Sequence, residues 1–191
     1  MINAEVDLTN IVLETERLII RAWKETDLED FYEYAKVDGV GQMAGWNPHQ
    51  SIQESKTILE MFIKGKNEFA LELKENHKAI GSVGLEKMSL SLGGEYDNLD
   101  GREIGYVLSK AYWGRGLMPE AVKAVIAYCF QNEKYDYLIC SHSVTNNQSK
   151  RVIEKCGFQF VKESSRVMTN GEEHLSLYYV LDNPTTMVLK R

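Results

Sequence analysis

The sequence predicts an α+β fold, a mixed and mostly antiparallel twisted sheet of about seven strands flanked by about four helices. Three observations predict it. Between residues 68 and 109 apolar residues alternate with polar ones in successive runs, the period of strands paired in a meander. Val122, Val125, Ile126, Cys129 and Phe130 then fall at i, i+3, i+4, i+7 and i+8, one face of a helix. Beyond that helix lies a second apolar strand, "YDYLICSHSV" (135–144), so 102–144 reads as a strand-helix-strand step whose strands run parallel.

Residues 1–12 read as an N-terminal extension of a single domain covering 1–191. "ETERLIIRAW" (14–23) puts Leu18, Ile20 and Ala22 on one side of a strand. Thr26 offers an N-cap for "DLEDFYEYAK", where Leu28, Phe31, Tyr32 and Ala35 have helical spacing. The glycine-rich "GVGQMAGWNPHQ" (39–50) reads as irregular. Ser51 offers a second cap, before a helix in which Ile52, Thr57, Ile58, Met61 and Phe62 fit one face less well. "EFALELK", "AIGSVGLEKM" and "REIGYVLS" (102–109) are the meander, with the loop "SLGGEYDNLDG" before the last. "NQSKRVIEK" reads as a short helix, with Gly157 placed for a left-handed ending. "FQFVKESSRVM" and "LSLYYVLD" flank "TNGE", whose Asn-Gly is a hairpin signal.

The composition narrows the function. The 191 residues are 43% hydrophobic and 26% charged, with no apolar run long enough for a membrane span. "MINAEVDLTN" has no basic segment followed by an apolar one, so no secretory signal is expected and the cytoplasm is the expected location. The formal charge of −6 and the lack of a basic block argue against nucleic acid as a partner, and an acidic chain suits a cationic one. Cys129, Cys140 and Cys156 have apolar neighbours and no pairing pattern, so buried free thiols are expected, and neither a disulfide nor a metal site.

The candidate chemistry lies at "YWGRGLMPEA" (112–121), a glycine turn between strand and helix. The first amides of a helix lack partners and carry positive potential, and glycine lets the backbone curl around a phosphate. Gly114, Arg115, Gly116, Leu117 and Met118 would offer consecutive N–H groups, with Arg115 adding charge; Pro119 fits the first helical turn. A plain helix start is the alternative. A nucleotide P-loop is excluded by the lack of Gly-Lys-Ser/Thr, and a dinucleotide fingerprint by Pro119 and the meander upstream.

Three stretches, "LETERLIIRAWKETDLEDFYEYA", "EIGYVLSKAYWGRGLMPEA" and "NNQSKRVIEKCGFQFVKE", make the chain resemble the GCN5-related N-acetyltransferase (GNAT) superfamily from about residue 13 onward, and within it the RimJ/RimL-type ribosomal-protein N-acetyltransferases. The resemblance implies a sheet splayed near an acetyl-coenzyme A site, with the pyrophosphate held by 113–118. Trp113 stands where the wider family has Gln or Arg, and Met118 occupies the last motif position, both as in the RimJ/RimL branch. Val107 and Leu108 on the splayed strand, with Asn146, are implied contacts of the pantetheine arm. The implied partners are acetyl-coenzyme A as co-substrate and an amine acceptor, such as a ribosomal-protein N-terminus, and the resemblance is compatible with a homodimer.

Transfer from a thioester to an amine needs a neutral amine, a donor for the developing oxyanion and an easy departure for the thiolate. The Leu108 amide is the oxyanion candidate. Ser149 is a donor to the sulfur, a cap of its helix, or both; the position where many relatives carry an acidic tyrosine holds Ile153. Glu103 is the first candidate base, on the same strand side as Gly105 and Val107 unless a bulge shifts the register, with His142 and His174 as alternatives. Trp46 and His49 line an amine pocket or pack structurally. The expected activity is an acetyl-coenzyme A-dependent N-acetyltransferase acting on a protein α-amine; an acetyltransferase of small amines and a non-catalytic acyl-coenzyme A sensor are the alternatives.

Overall fold

The computed structural model describes residues 2–167, 171 and 173–189. In chain order the strands and helices are β1 (Ile2–Asn3), β2 (Val12–Glu14), β3 (Leu18–Ala22), α1 (Leu28–Ala35), α2 (Ile52–Gly65), β4 (Glu68–Leu73), β5 (Ala79–Glu86), β6 (Asp100–Leu108), α3 (Leu117–Gln131), β7 (Tyr137–Ser143), α4 (Asn147–Lys155), β8 (Gln159–Val167), β9 (Glu173–Asp182) and α5 (Pro184–Leu189). They form one sheet in the order β2-β3-β4-β5-β6-β7-β9-β8, with β1 added parallel to β6. Among the described residues β1–β6 and β6–β7 are the parallel pairs, and the other pairs are antiparallel.

Among the described residues the sheet has nine strands rather than about seven. The two additional strands are β1 and β2, two and three residues long, too short to display a period. The N-terminal segment is therefore partly sheet: Ile2 and Asn3 pair with Asp100 and Gly101, and Val12 with Arg21.

Alternation along the strands divides the interior among the described residues into two larger cores and a smaller one around Tyr137, Ile139 and Tyr178. Leu18, Ile20, Phe69, Leu71, Val83, Leu85, Ile104 and Leu138 pack with Ala121, Val125 and Cys129 of α3 and Ile153 of α4. Ala70 and Ala79, with the partly buried Val107, join Phe31, Tyr34, Ala35 and Leu59 of α1 and α2 in the second. The three cysteines are buried and free, as the sequence implied. Among the described residues no helix is long and apolar enough to cross a membrane.

Local signals fared unevenly. Ser51 caps α2, accepting from the Glu54 amide at 3.2 Å. Gly157 has φ +89°, the left-handed ending expected after α4. Thr26 does not cap α1. A short 3-10 turn over Glu25–Asp27 precedes that helix, and the Asp27 carboxylate accepts from the Lys24 amide at 2.8 Å while also pairing with Arg21. In α2 the buried positions are Ser55 and Leu59, and Ile52 and Met61 are exposed, which is why the apolar spacing looked poor. The Asn-Gly hairpin residues Thr169, Asn170 and Glu172 lie outside the described residues.

Candidate active site

The site is a wedge between two parallel strands. β6 and β7 are paired from Gly101↔Tyr137 to Ile104↔Cys140 and no further. Beyond that point β6 stays on β5 as far as Leu108↔Gly81, while β7 stays on β9 as far as Ser143↔Ser176. The register on β5 is unbroken, so Glu103, Gly105 and Val107 do share one side. The Ser109 amide donates to Ile80 O at 2.8 Å, and a Cβ on Gly81 would meet the Val107 carbonyl. Alternation therefore turns the Val107 backbone to β5 and the Tyr106 and Leu108 amides into the wedge. The Leu108 carbonyl accepts from the Trp113 indole N–H at 2.8 Å, which ties the glycine turn to the end of β6.

That turn is built as an anion cradle. Gly114 and Gly116 both have φ +77°, a conformation that a side chain makes costly. Gly116 is the N-cap of α3, and no side chain caps the helix, so its first amides remain available as donors. Leu117 and Met118 are buried in the core, which fixes the backbone of the first turn. A Cβ on Gly114 would meet no atom within 4 Å, so the cradle opens outward. Arg115 is exposed, its guanidinium 5.1 Å from the centre of the Tyr112 ring. Arg17, which the sequence reading passed over, braces the turn: Nη1 donates to the Arg115 carbonyl at 2.9 Å and Nε to Glu120 Oε2 at 2.8 Å. Uncapped amides and left-handed glycines, with the exposed Arg115 beside them, suit a diphosphate.

At the other side of the wedge stands α4. Asn146 is its N-cap, accepting the Ser149 amide at 3.0 Å. The capping role considered for Ser149 therefore belongs to Asn146. The Ser149 hydroxyl instead meets the Tyr106 hydroxyl at 2.8 Å, and Tyr106 is also 3.1 Å from the Ser149 carbonyl. Burial pushes the Tyr106 phenol well above its usual range, so it stays a neutral hydroxyl. Ile153 is buried in the core. Tyr106 was legible only as a strand residue, because nothing in the sequence says that it crosses to α4.

A cavity of about 1390 Å³ joins the glycine turn and the wedge to a chamber under the α1–α2 loop. Trp46 and His49 border it. The Trp46 ring lies where a Cβ on Gly41 would stand, and the His49 ring packs 5.0 Å from Trp46 and 5.2 Å from Phe31. His49 Nδ1 is 2.7 Å from the Ser55 hydroxyl, and burial lowers its pKa, so the ring is neutral. His142 is satisfied by the Ser143 carbonyl at 2.8 Å and the Tyr179 hydroxyl at 3.2 Å. His174 pairs with Arg166 in the β8–β9 ladder and is not among the residues that border the cavity. Glu103 is buried and borders the chamber: Oε1 accepts from Ser141 Oγ and Arg166 Nη1, both at 2.8 Å, and Oε2 from the Ser89 amide at 2.9 Å and Oγ at 2.6 Å. Glu68 and Glu86 border the same chamber, and the sequence reading named neither. Among the described residues no cluster of His, Cys, Asp and Glu could hold a metal ion.

A wedge between parallel strands, with an anion cradle at the start of the connecting helix, defines an acyl-coenzyme A transferase architecture. A family model described as an acetyltransferase (GNAT) domain matches residues 17–159, and the chain belongs to that family. The uncharacterized N-acetyltransferase p20 of Bacillus licheniformis is 26% identical over 153 residues, covering 77% of this chain and 82% of that protein. Two solved structures share the fold. A GNAT-family acetyltransferase from Bacillus anthracis superimposes with a TM-score of 0.77 at 23% identity over 91% of this chain and 99% of its own. The ribosomal-protein-S5-alanine acetyltransferase of Vibrio fischeri has a TM-score of 0.70 at 21% identity, covering 92% and 98%. The protein is a GNAT-type N-acetyltransferase that uses acetyl-coenzyme A.

Proposed function

We propose that this enzyme, acting as a single 1–191 domain, acetylates the α-amine at the N-terminus of a protein or peptide, with a ribosomal protein as the leading class of acceptor. The observation that carries this reading is the shape of the acceptor side. The cavity reaches exposed residues at two separate places, Glu54 and Met61 on α2 and Val167 at the end of β8, so an extended chain could enter and leave. The likeness to a ribosomal-protein acetyltransferase supports the same class.

Bound acetyl-coenzyme A supplies an acyl thioester, and the chain's own groups do the rest. The α3 amides, with Arg115, hold the diphosphate in the turn that Arg17 braces. The Leu108 amide donates where negative charge develops on the carbonyl oxygen, a contribution of about 3 kcal/mol for a fixed donor. The Ser149 hydroxyl, oriented by Tyr106, donates toward the departing sulfur. An α-amine has a pKa of roughly 8, so a modest base suffices to free it near neutral pH.

The test is a thiol-release assay with tripeptides beginning Ser, Ala or Met, and with spermidine. Peptides should be turned over with the higher kcat/KM. Turnover confined to spermidine would make this a small-amine enzyme, and acetyl-coenzyme A binding without turnover of any member would make it a sensor.

A further inference from the structure

Two carboxyl groups meet in the acceptor chamber over a glycine. Glu68 of β4 pairs with Gly84 of β5, which pairs with Gly105 of β6, so one row across three strands carries a carboxylate beside two positions without side chains. Glu86 follows two residues after Gly84, on the same face. A Cβ at Gly84 would collide with Glu68 Oε2 and stand 2.8 Å from Glu86 Oε1. Glu68 is 9% exposed. The groups that act on it are the Ser82 hydroxyl and the Glu86 carboxyl from β5 and the buried Tyr34 phenol from α1. Among the described residues neither Glu68 nor Glu86 forms an ion pair, although both border a cavity continuous with the wedge. Glu103 differs in this respect, because four donors from Ser89, Ser141 and Arg166 fill both of its oxygens.

We propose that Glu68, with Glu86 opposite, docks the acceptor's ammonium group and removes its proton, and that Glu103 is a positioning residue tying β6, β7 and β8 together. This rests on the N-acetyltransferase reading. A buried carboxyl pair without a cation is costly, and an ammonium group is the partner whose charge and three donors complete it. The protons balance. The free pair shares one proton and carries one negative charge. The incoming ammonium, held beside the wedge and joined to the pair through bridging water, displaces that proton to solvent. It then returns one of its own through the water to the pair, leaving a neutral amine. Burial and the Glu86 charge raise the Glu68 pKa to about 8, close to that of an α-amine, so the transfer is nearly level. Gly105 lies about 10 Å along β6 from the Leu108 amide at ~3.3 Å per residue, a span that the acceptor and a bridging water cover.

The experiment compares Glu68→Gln and Glu103→Gln with the wild type, using whichever tripeptide or spermidine the wild type turns over fastest. Glu68→Gln should lower kcat/KM about a hundredfold and leave a rate that follows the neutral amine, still rising above pH 8 where the wild type levels off, with unchanged acetyl-coenzyme A affinity by calorimetry. Glu103→Gln should keep the wild-type profile while lowering the melting temperature. Retention of rate and pH profile in Glu68→Gln, or their loss only in Glu103→Gln, overturns the assignment and leaves the acetyltransferase reading intact. A wild type that binds acetyl-coenzyme A and turns over no amine overturns both. Carboxyl ¹³C spectra of the wild type need no folded variant: one glutamate should titrate near pH 8 and shift when the peptide is added, and no glutamate titrating above pH 7 would refute the proposal.

Discussion

Ser149 and Asn146 lie three residues apart, and the structure gives them separable jobs. Asn146 holds the start of α4 and Ser149 meets Tyr106 across the wedge. The single phenolic proton of Tyr106 goes either to the Ser149 carbonyl or to its hydroxyl. In the second arrangement the serine proton is free to point at a sulfur atom. Ser149→Ala should therefore lower kcat by about ten- to a hundredfold, one transition-state hydrogen bond, with little change in melting temperature. Asn146→Ala should cost about 1 kcal/mol of stability through the lost cap and raise the KM for acetyl-coenzyme A. Steady-state kinetics and thermal melts of both variants check this; a Ser149→Ala enzyme with unaltered kcat would leave the thiol to depart with help from water alone. The sequence left capping open as one of two roles for Ser149, and the structure gives the cap to Asn146, because Ser and Asn are both good caps and only the backbone decides which stands first. Tyr106, Glu68 and Glu86 were not legible as site residues. Each meets its partner across strand or helix packing, and no local spacing encodes that.

At the scale of elements, the cradle should fail when its backbone is blocked. Gly116→Glu places a side chain at φ +77° and a negative charge against the first amides of α3. Calorimetry should find acetyl-coenzyme A binding abolished in a folded variant, and unchanged affinity would move the site elsewhere. This element was readable in the sequence because strand, glycine turn and amphipathic helix follow one another along the chain. The wedge was readable only through resemblance, because the point where β6 leaves β7 is set by which strand each keeps as its other neighbour. The strands β1 and β2 were invisible for a different reason: two or three residues held by a long neighbour need no pattern of their own.

For the whole molecule, the acceptor chamber trades stability for chemistry, and pH exposes the trade. Glu68 has a folded-state pKa of about 8 against an ordinary glutamate value of 4.5. Between those values the folded chain holds a proton that the unfolded chain has released, so stability falls as pH rises. The contribution of Glu68 is fully present below pH 4.5 and is lost as pH passes through 8. His49 works in the opposite sense. Burial lowers its pKa, so it costs stability as pH falls below the ordinary histidine value, but it is common to wild type and variant and cancels in their difference. Glutamine at position 68 keeps the shape and does not titrate. The melting temperature of Glu68→Gln minus that of the wild type should therefore be near zero at pH 5 and grow toward pH 8. The gain should be largest at pH 8, and each kcal/mol of it raises the melting temperature by roughly 2–4 °C for a domain of this size. The same variant should then be the more stable protein and the poorer enzyme, the pattern of a residue kept for function. A melting-temperature difference that stays flat from pH 5 to pH 8 would mean that Glu68 holds no extra proton in the folded state, and the raised proton affinity behind its role as base would be gone.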